Sequence, residues 1–416
     1  MRRSTCLLIT ILASSLCNRA KATLDTPPLV WEKTFGGSNG DEGWSVQQTA
    51  DGGFVIAGGT SSFGAGGQDV YLVKTDSAGN LFWQKTFGGS SWDSAHSVEQ
   101  TTDGGFIIAG YTGSFGAGND DVYLIKTDPN GEMLWQNTFG GSKWEYGYSV
   151  QQTTDGGFII AGDTSSFSAW PYSDVYLVKT DCAGNLLWQK TIGGGHFDFG
   201  TSVQQTADGG YIIAGWTKSF GGAPFREDVY LIKTNSAGNL LWQKTFIVSV
   251  SWAAVQQTTD GGYIIVAGST LIKTDTNGNL LWQKTFGGFS CGFSCGSSIQ
   301  QTIDRGFIIA GCTSSFSADP DYTDVYLVKT DSEGNLLWQK TFAGSRENWG
   351  RSVQQTADGG YIMAGWTESF GAGSSDVYLI KLGFEGCQRW DFNCDRLLDF
   401  ADFAEFAEHW LENTPP

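Results

Sequence analysis

Short apolar runs separated by glycine-rich polar turns recur along almost the whole chain, without a convincing helical period between residues 23 and 386. In one representative copy, the alternating segment Ser97–Thr101 ends at Asp-Gly-Gly and is followed by the continuous apolar run Phe106–Tyr111. A Gly/Ser-rich loop then precedes Asp121–Thr127, and an Asp-Pro-Asn-Gly turn leads into Met133–Thr138. Such runs, bounded by such turns, are typical of β-strands. The pattern predicts four short antiparallel strands per copy.

The unit occurs seven times, at a spacing of about 50 residues that is typical of propeller blades. Its most regular marker is a tryptophan, found at Trp31, Trp83, Trp135, Trp188, Trp242, Trp282 and Trp338. The array opens with a lone fourth strand, Leu29–Thr34, and ends on a third strand, Asp376–Leu382. The N-terminal strand can therefore complete the last blade and remove the open edges. We predict an all-β, seven-bladed β-propeller of four-stranded antiparallel blades over residues 23–382.

The fifth copy departs most from the others. Its segment Ala267–Thr270 runs straight into Leu271–Thr274, so the Gly/Ser loop and the Asp-Val pair of the other copies are missing. We expect a clipped connection between the second and third strands of this blade.

Two turns carry a resemblance to known propeller families. The turn into the fourth strand, such as Asp76–Trp83, resembles the tryptophan-containing turn of PQQ-type propeller repeats, with one residue fewer between Asp and Gly. The Thr-x-Asp-Gly-Gly-Phe/Tyr segments resemble the Asp-box turns of sialidase-like propellers, with Ile in place of the second aromatic residue. Both resemblances cover the whole array and imply a propeller blade. Neither implies a quinone site or a sialidase site.

Composition and the N-terminus restrict where the protein works. The 416-residue chain has 58 glycines and a formal net charge of −18, which disfavours nucleic acid and anionic membrane surfaces as partners. Residues 1–22 have the pattern of a secretory signal peptide: a basic start, the apolar run Leu7–Leu16 and the small-x-small site Ala20–Ala22. The run is too short to span a bilayer. We expect a secreted or cell-surface protein, monomeric and without a membrane span.

Export permits disulfides among the six cysteines that follow the signal segment. Cys387 and Cys394 flank one short loop and form the favoured pair. One further bridge can come from Cys291, Cys295 and Cys312. We expect Cys182, which lies in a turn, to be free.

Strand order divides the loops between two faces of the ring. The Asp-Gly-Gly and Asp-x-x-Gly-Asn turns share a nearly invariant face, which suits a structural role. The loops leading into the first strand and those between the second and third strands share the other face, which varies and is rich in aromatic residues. Aromatic rings among Asp, Glu and Gly can stack on sugars or hold a protein loop, although many can instead pack between blades. The candidate ligand-binding residues are Trp44, Trp92, Tyr111, Trp144, Asp163, Trp170, Trp216, Trp349 and Trp366.

Six blades place an aspartate before Val-Tyr-Leu: Asp69, Asp121, Asp174, Asp228, Asp324 and Asp376. These can form a carboxylate ring for cations or, as we favour, cap backbone N–H groups of their own loops. Catalytic patterns are scarce. Gly288–Gly292 has the letters of a nucleophile elbow but lies outside the strand-to-helix turn that this motif requires, and no catalytic residue is assigned.

The C-terminal segment, residues 383–416, differs in composition. It places oxygen ligands at the spacing of a calcium loop, namely Asp391, Asn393, Asp395, the carbonyl of Leu397, Asp399 and Asp402. An apolar helical stripe follows from Phe400 to Leu411. With Asp at the last ligand position, the segment resembles a single dockerin-type F-hand repeat, which implies Ca²⁺ and a cohesin-like partner. A full dockerin has two repeats, so pairing with a second copy, docking onto the propeller, use as an attachment tag, or a solvated acidic tail remain alternatives.

The sequence thus favours an exported, non-catalytic propeller that binds protein or carbohydrate through its aromatic face and is attached to an extracellular assembly by a calcium-dependent, dockerin-like tail. Seven near-equal blades leave none visibly specialised for chemistry. The alternative is a carbohydrate-active enzyme, a glycoside hydrolase or lyase that uses a carboxylate pair on the same scaffold.

Overall fold

The computed structural model describes residues 26–385, except 170, 223–225, 289–297, 318 and 320. Within these residues, 28 strands form seven four-stranded antiparallel sheets, which are the blades of the predicted propeller. Residues Pro28–Phe384 form one compact unit. The proposed signal segment, Trp170, all six calcium ligands, and Cys387 and Cys394 lie outside the described residues. No helix able to cross a bilayer occurs among the described residues.

Each blade runs from an inner strand at the central channel to an outer strand at the rim. The strands are β1 (Leu29–Phe35), β2 (Asp41–Gln48), β3 (Phe54–Thr60), β4 (Asp69–Thr75), β5 (Leu81–Phe87), β6 (Asp93–Gln100), β7 (Phe106–Thr112), β8 (Asp121–Thr127), β9 (Met133–Phe139), β10 (Glu145–Gln152), β11 (Phe158–Thr164), β12 (Asp174–Thr180), β13 (Leu186–Ile192), β14 (Asp198–Gln205), β15 (Tyr211–Thr217), β16 (Asp228–Thr234), β17 (Leu240–Ser249), β18 (Ala253–Gln257), β19 (Tyr263–Ala267), β20 (Thr270–Thr274), β21 (Leu280–Thr285), β22 (Ser298–Gln301), β23 (Phe307–Thr313), β24 (Asp324–Thr330), β25 (Leu336–Phe342), β26 (Asn348–Gln355), β27 (Tyr361–Thr367) and β28 (Asp376–Leu382).

The last blade is closed by the N-terminal strand, as predicted. Its sheet has the order β1-β28-β27-β26, with Leu29 opposite Leu382 and Phe35 opposite Val377. This pairing joins the two ends of the array, so the ring has no unpaired blade edge at its seam.

The core lies between neighbouring blades. The two middle strands of most blades, such as β3 and β4, are buried along their whole length, whereas outer strands such as β5 are mostly exposed or half-buried. Val55 and Leu72 of one blade pack against Phe106 and Ile108 of the next. This accounts for the continuous apolar runs of the middle strands, because both of their faces are covered.

A Gln-Gln pair, or Glu99-Gln100 in the second blade, ends each inner strand and connects the blades. The side-chain oxygen of the first residue accepts the backbone N–H of the second residue in the next blade, at 2.5–2.7 Å, and these bonds form a closed ring of seven. The second residue accepts a backbone N–H from the preceding blade's turn, as Gln100 does from Ala50 at 2.8 Å. The bond from Gln48 N–H to Gln354 crosses the seam between the first and last blades. Hydrogen bonds between side chain and backbone thus help to close the ring.

The invariant face is structural, as expected from the sequence. The aspartate of each Asp-Gly-Gly turn forms an ion pair with a buried lysine of its blade's third strand, for example Asp51 with Lys74 at 2.9 Å. The lysine also donates to the carbonyl of Thr75 at 2.9 Å. In the Asp-x-x-Gly-Asn turn before the fourth strand, Asp76 accepts the backbone N–H groups of Ala78 and Asn80 at 2.9 and 2.8 Å.

The aspartates before Val-Tyr-Leu also act within their loops. Asp69 accepts the N–H of Ala65 at 2.8 Å, and Asp121, Asp228 and Asp376 accept equivalent N–H groups, so the capping interpretation is confirmed for these four. The same carboxylate explains a glycine that most of the copies share at the end of the outer strand. A Cβ added to Gly88 would lie 2.0 Å from Asp69 Oδ1.

Two further expectations can be compared with the structure. The fifth blade has the clipped connection, with only Gly268 and Ser269 between β19 and β20. Cys182 carries a free thiol and is exposed, as expected, and Cys312 is disulfide-bonded. Cys291 and Cys295 lie outside the described residues.

Candidate ligand site at the channel mouth

The inner strands begin earlier than the sequence predicts. In the second blade β6 starts at Asp93 rather than Ser97, because Asp93–Ala95 pair with β7 above a β-bulge at His96. The same shift in register occurs in four other blades, and a bulge re-aims the side chain of the extra residue. The five bulged residues are Trp44, His96, Tyr148, Thr201 and Arg351.

The Ala-Gly pair of the second strand makes the bulge feasible. A Cβ added to Gly58 would lie 1.8 Å from the carbonyl oxygen of Glu42, and the equivalent glycines of the other bulged blades are equally close to a carbonyl. The fifth blade has Ala267 at this position, and its inner strand pairs without a register shift. The glycine therefore allows the bulged backbone to approach its neighbour.

The five bulged side chains surround one cavity of about 180 Å³ at the mouth of the central channel. Trp252 of the fifth blade joins them, although its strand has no bulge. The remaining lining is Ser45, Ser97, Ser149, Ser202, Ala254, Val255, Ser298, Ile299 and Ser352. The cavity therefore combines aromatic walls with a ring of hydroxyl groups.

Aromatic contacts continue around the mouth from the first blade to the fifth. The ring centroids of Trp44 and His96 are 4.9 Å apart, those of His96 and Tyr148 are 5.3 Å apart, and those of Tyr148 and Trp252 are 5.3 Å apart. Tyr111 supports this wall from behind, 5.8 Å from His96. All five residues are half-buried, as expected for the walls of an open basin.

Arg351 lies between two tryptophans. Its guanidinium carbon is 4.2 Å from the ring centroid of Trp44 and 4.6 Å from that of Trp349, within the range of cation–π attraction. The indole N–H groups donate to Glu42 at 3.1 Å and to Glu347 at 2.9 Å. These bonds fix the tryptophans and, through them, the guanidinium.

The other predicted aromatic residues have different surroundings. Trp366 stacks on Trp349 at 5.6 Å, and Trp216 stacks on Phe199 at 4.3 Å, in both cases as cross-strand neighbours above the bulge. Trp92 and Trp144 are 58% and 41% exposed and do not line the cavity. Of the predicted set, Trp44 lines the cavity, while Tyr111, Trp349 and Asp163 contact its walls.

Burial shifts the pKa of three groups near the mouth. It lowers the pKa of His96 to about 4, with a further contribution from Arg351, so the imidazole is neutral at ordinary pH. It raises the pKa of Asp163 to about 7, against the opposing hydrogen bonds of Tyr148 and Ser173. Burial also raises the pKa of Glu42, while Arg351 and the Trp44 indole act in the opposite direction. Perturbed titration is common at functional sites.

A second cavity, of about 260 Å³, lies further along the channel. Its lining alternates the first residue of each Gln-Gln pair with the Val or Ile before it. Glu99 replaces glutamine in the second blade, and burial raises the pKa of this carboxyl to about 7. The seven residues whose side-chain oxygens accept a backbone N–H of the next blade therefore also line this part of the channel.

Five of the large or bulged lining residues lie outside the candidate set that the sequence provides: His96, Tyr148, Thr201, Trp252 and Arg351. The available signal was the position before Ser-Val-Gln-Gln, which holds Trp44, His96, Tyr148, Thr201 and Arg351 in blades that are otherwise almost constant there.

No protein-family model matches the chain, and no curated protein matches it. Solved structures match its fold. BBS1N in complex with ARL6DN aligns at a TM-score of 0.51 and 9% identity, covering 86% of this chain and 96% of that one. A streptogramin B lyase aligns at 0.50 and 10% identity, covering 85% and 98%. A protein of unknown function from Bacteroides caccae aligns at 0.42 and 13% identity, covering 67% and 92%. At such identities the likeness concerns the fold alone.

Proposed function

We propose that this protein is a non-catalytic binding module and that the channel-mouth cavity is its ligand site. The observation that carries the proposal is the set of five β-bulges, which turn five different side chains toward one cavity in an otherwise repetitive ring. The repeated residues form the strands and turns of each blade, whereas the bulged residues differ from blade to blade. A repeated scaffold with variable side chains at one place is typical of recognition sites.

A carbohydrate is the ligand class that the cavity suits best. Its walls combine the faces of Trp44, Tyr148 and Trp252 with the hydroxyl groups of six serines. We call these serines the serine ring: Ser45, Ser97, Ser149, Ser202, Ser298 and Ser352. Sugars present both C–H faces and hydroxyl groups, so they use aromatic and polar contacts together. A volume of about 180 Å³ suits one sugar residue better than a folded protein loop.

The test is binding of the full chain to a glycan array, followed by calorimetry on the best glycan. We expect Trp252→Ala to weaken binding at least about tenfold, because it removes part of the cavity wall. Trp92→Ala, which changes an exposed tryptophan outside the lining, is the matched control and should bind like the wild type. Absence of glycan binding, or equal losses for both variants, would contradict the proposal.

The alternative, a carbohydrate-active enzyme, is favoured by one observation. Asp163, with a pKa near 7, and Glu42, with a raised pKa, are carboxyl groups of the kind that act as general acids. Incubation of the full chain with the array's best glycan would distinguish the two functions. Bond cleavage that is lost in Asp163→Asn would establish the enzyme and overturn the binding-only proposal.

We further propose that residues 1–22 direct export and that residues 383–416 bind Ca²⁺ as a dockerin-like attachment segment. The support is the spacing of oxygen ligands from Asp391 to Asp402 and the helical stripe after it. Calcium titration of the full chain, followed by calorimetry, should give one binding event that disappears in Asp391→Ala/Asp395→Ala. Equal heats for both proteins would contradict the calcium site. Capture of the full chain by a cohesin only with calcium would identify the partner.

A further inference from the structure

Among the described residues that line the cavity at the channel mouth, one carries a formal charge. Arg351 is the single charged side chain among its described lining residues, which include neither Asp nor Glu. His96, the other titratable base there, is neutral at ordinary pH because of its burial and the nearby guanidinium. Arg351 therefore gives the described wall of the cavity one positive charge, although the whole chain has a net charge of −18.

The guanidinium is held in a fixed place. It lies on a bulge that follows Gly350, and it is stacked between Trp44 and Trp349 at 4.2 and 4.6 Å. Glu42 and Glu347 accept the indole N–H groups of those tryptophans, at 3.1 and 2.9 Å. A clamped guanidinium presents a planar fork of donors, which matches the two oxygens of a carboxylate.

The serine ring beneath Arg351 adds hydrogen-bond donors. Each serine Oγ accepts a backbone N–H of the next blade at 3.2 Å, as Ser45 does from Val98. A hydroxyl that accepts such a bond keeps its own hydrogen for donation. Six serines are arranged in this way, and Ala254 takes the seventh position.

We propose that the channel mouth selects an acidic sugar, binding the terminal uronic acid residue of an oligosaccharide with its carboxylate on Arg351 and the neighbouring serine hydroxyls. The sugar ring then lies against Trp44, Tyr148 and Trp252. This inference rests on the proposed carbohydrate-binding function and names its ligand class. A single terminal residue matches the small volume of the cavity. Long polyanions are disfavoured as ligands, because the chain's net charge of −18 repels them.

The experiment is calorimetry of the full chain at pH 7 with three oligosaccharides that differ only at the terminal residue: glucuronic acid, its methyl ester and glucose. We expect the acid to bind at least about tenfold more tightly than the ester, since the ester keeps the size but loses the charge. Arg351→Gln should bind the acid as weakly as the ester. Arg346→Gln, which changes an exposed arginine outside the cavity lining, should keep the preference.

Arg351→Lys covers the case in which Arg351→Gln fails to fold, as judged by circular dichroism and melting. Lysine keeps the positive charge but lacks the paired N–H donors of the guanidinium. We therefore expect this variant to prefer the acid less than the wild type does and more than Arg351→Gln does. Equal affinity of the wild type for acid and ester would overturn the inference and leave the carbohydrate proposal standing. A folded Arg351→Gln that keeps the preference would also overturn it. If none of the three sugars binds, this inference fails, and the glycan array decides the broader proposal separately.

Discussion

The substitution Glu99→Gln should stabilise the propeller at neutral and alkaline pH. Glu99 is the one carboxyl among the seven residues of the inner hydrogen-bonded ring. Its Oε2 accepts the N–H of Gln152 at 2.6 Å, a bond that a glutamine oxygen forms in the other six blades. The substitution therefore keeps the hydrogen bond and removes only the charge.

The size of the effect follows from the pKa of Glu99, which burial raises from 4.5 to about 7. A shift of this size corresponds to about 3 kcal/mol, and since the side chain is only partly buried we expect about 1–2 kcal/mol. The folded state holds the proton more tightly than the unfolded state. Glu99 therefore lowers the free energy of unfolding as pH rises from about 4.5 to 7, and the cost is constant above that range.

Urea unfolding of both proteins at pH 4 and pH 8 measures this effect. We expect Glu99→Gln to raise the free energy of unfolding at pH 8 and to change it little at pH 4, where the Glu99 carboxyl is mostly protonated in both the folded and the unfolded state. Gln204→Glu is the matched control, because it adds a carboxyl to the same ring in another blade. It should destabilise at pH 8 and have a smaller effect at pH 4. An equal effect of Glu99→Gln at both pH values, or destabilisation at pH 8, would refute the reasoning.

Two further predictions concern the repeated framework. In urea unfolding, Gly88→Ala should lower the free energy of unfolding by more than about 2 kcal/mol, because the added Cβ would lie 2.0 Å from Asp69 Oδ1. The control Gly195→Ala should leave it nearly unchanged, because the added Cβ would have nothing within 4 Å. Equal effects would contradict the close approach. Asp51→Asn should lower stability by about 1 kcal/mol at pH 6, since Asp51 pairs with buried Lys74 and is itself 62% exposed. The pKa of Asp51 is lowered to about 2, so this difference should shrink as the pH falls from about 4 to 2, and an undiminished difference at pH 2 would contradict the ion pair.

Most of the fold could be predicted because its signals are local. The Asp-Gly-Gly and Asp-x-x-Gly turns mark the hairpins, and glycines such as Gly52 and Gly79 do adopt positive φ, at 82° and 76°. The tryptophan markers gave the number of blades, and the lone strand Leu29–Thr34 gave the closure. The ring of Gln side-chain bonds could not be predicted in this way, because each bond joins different blades, with partners 53 positions apart in one case and 306 positions apart at the seam.

The candidate site could be predicted only in part, for a physical reason. A β-bulge inserts one residue into a strand, so the alternation that identifies strand positions changes at the site itself. In the sequence, Asp93–Ala95 therefore have the pattern of a loop that continues to His96, although these three residues pair with β7 in the structure. The aromatic character of Trp44 was visible in the sequence. The convergence of Trp44, Tyr148 and Trp252 from three blades on one cavity required the ring geometry.

The central claim is that the ligand occupies the channel mouth, and a crystal structure of the full chain with the array's best glycan tests it most directly. The account predicts a sugar residue in the cavity, in contact with Trp44 and Tyr148 and above the serine ring. Sugar density over Trp92 and Trp144, with the cavity free of sugar, would contradict it.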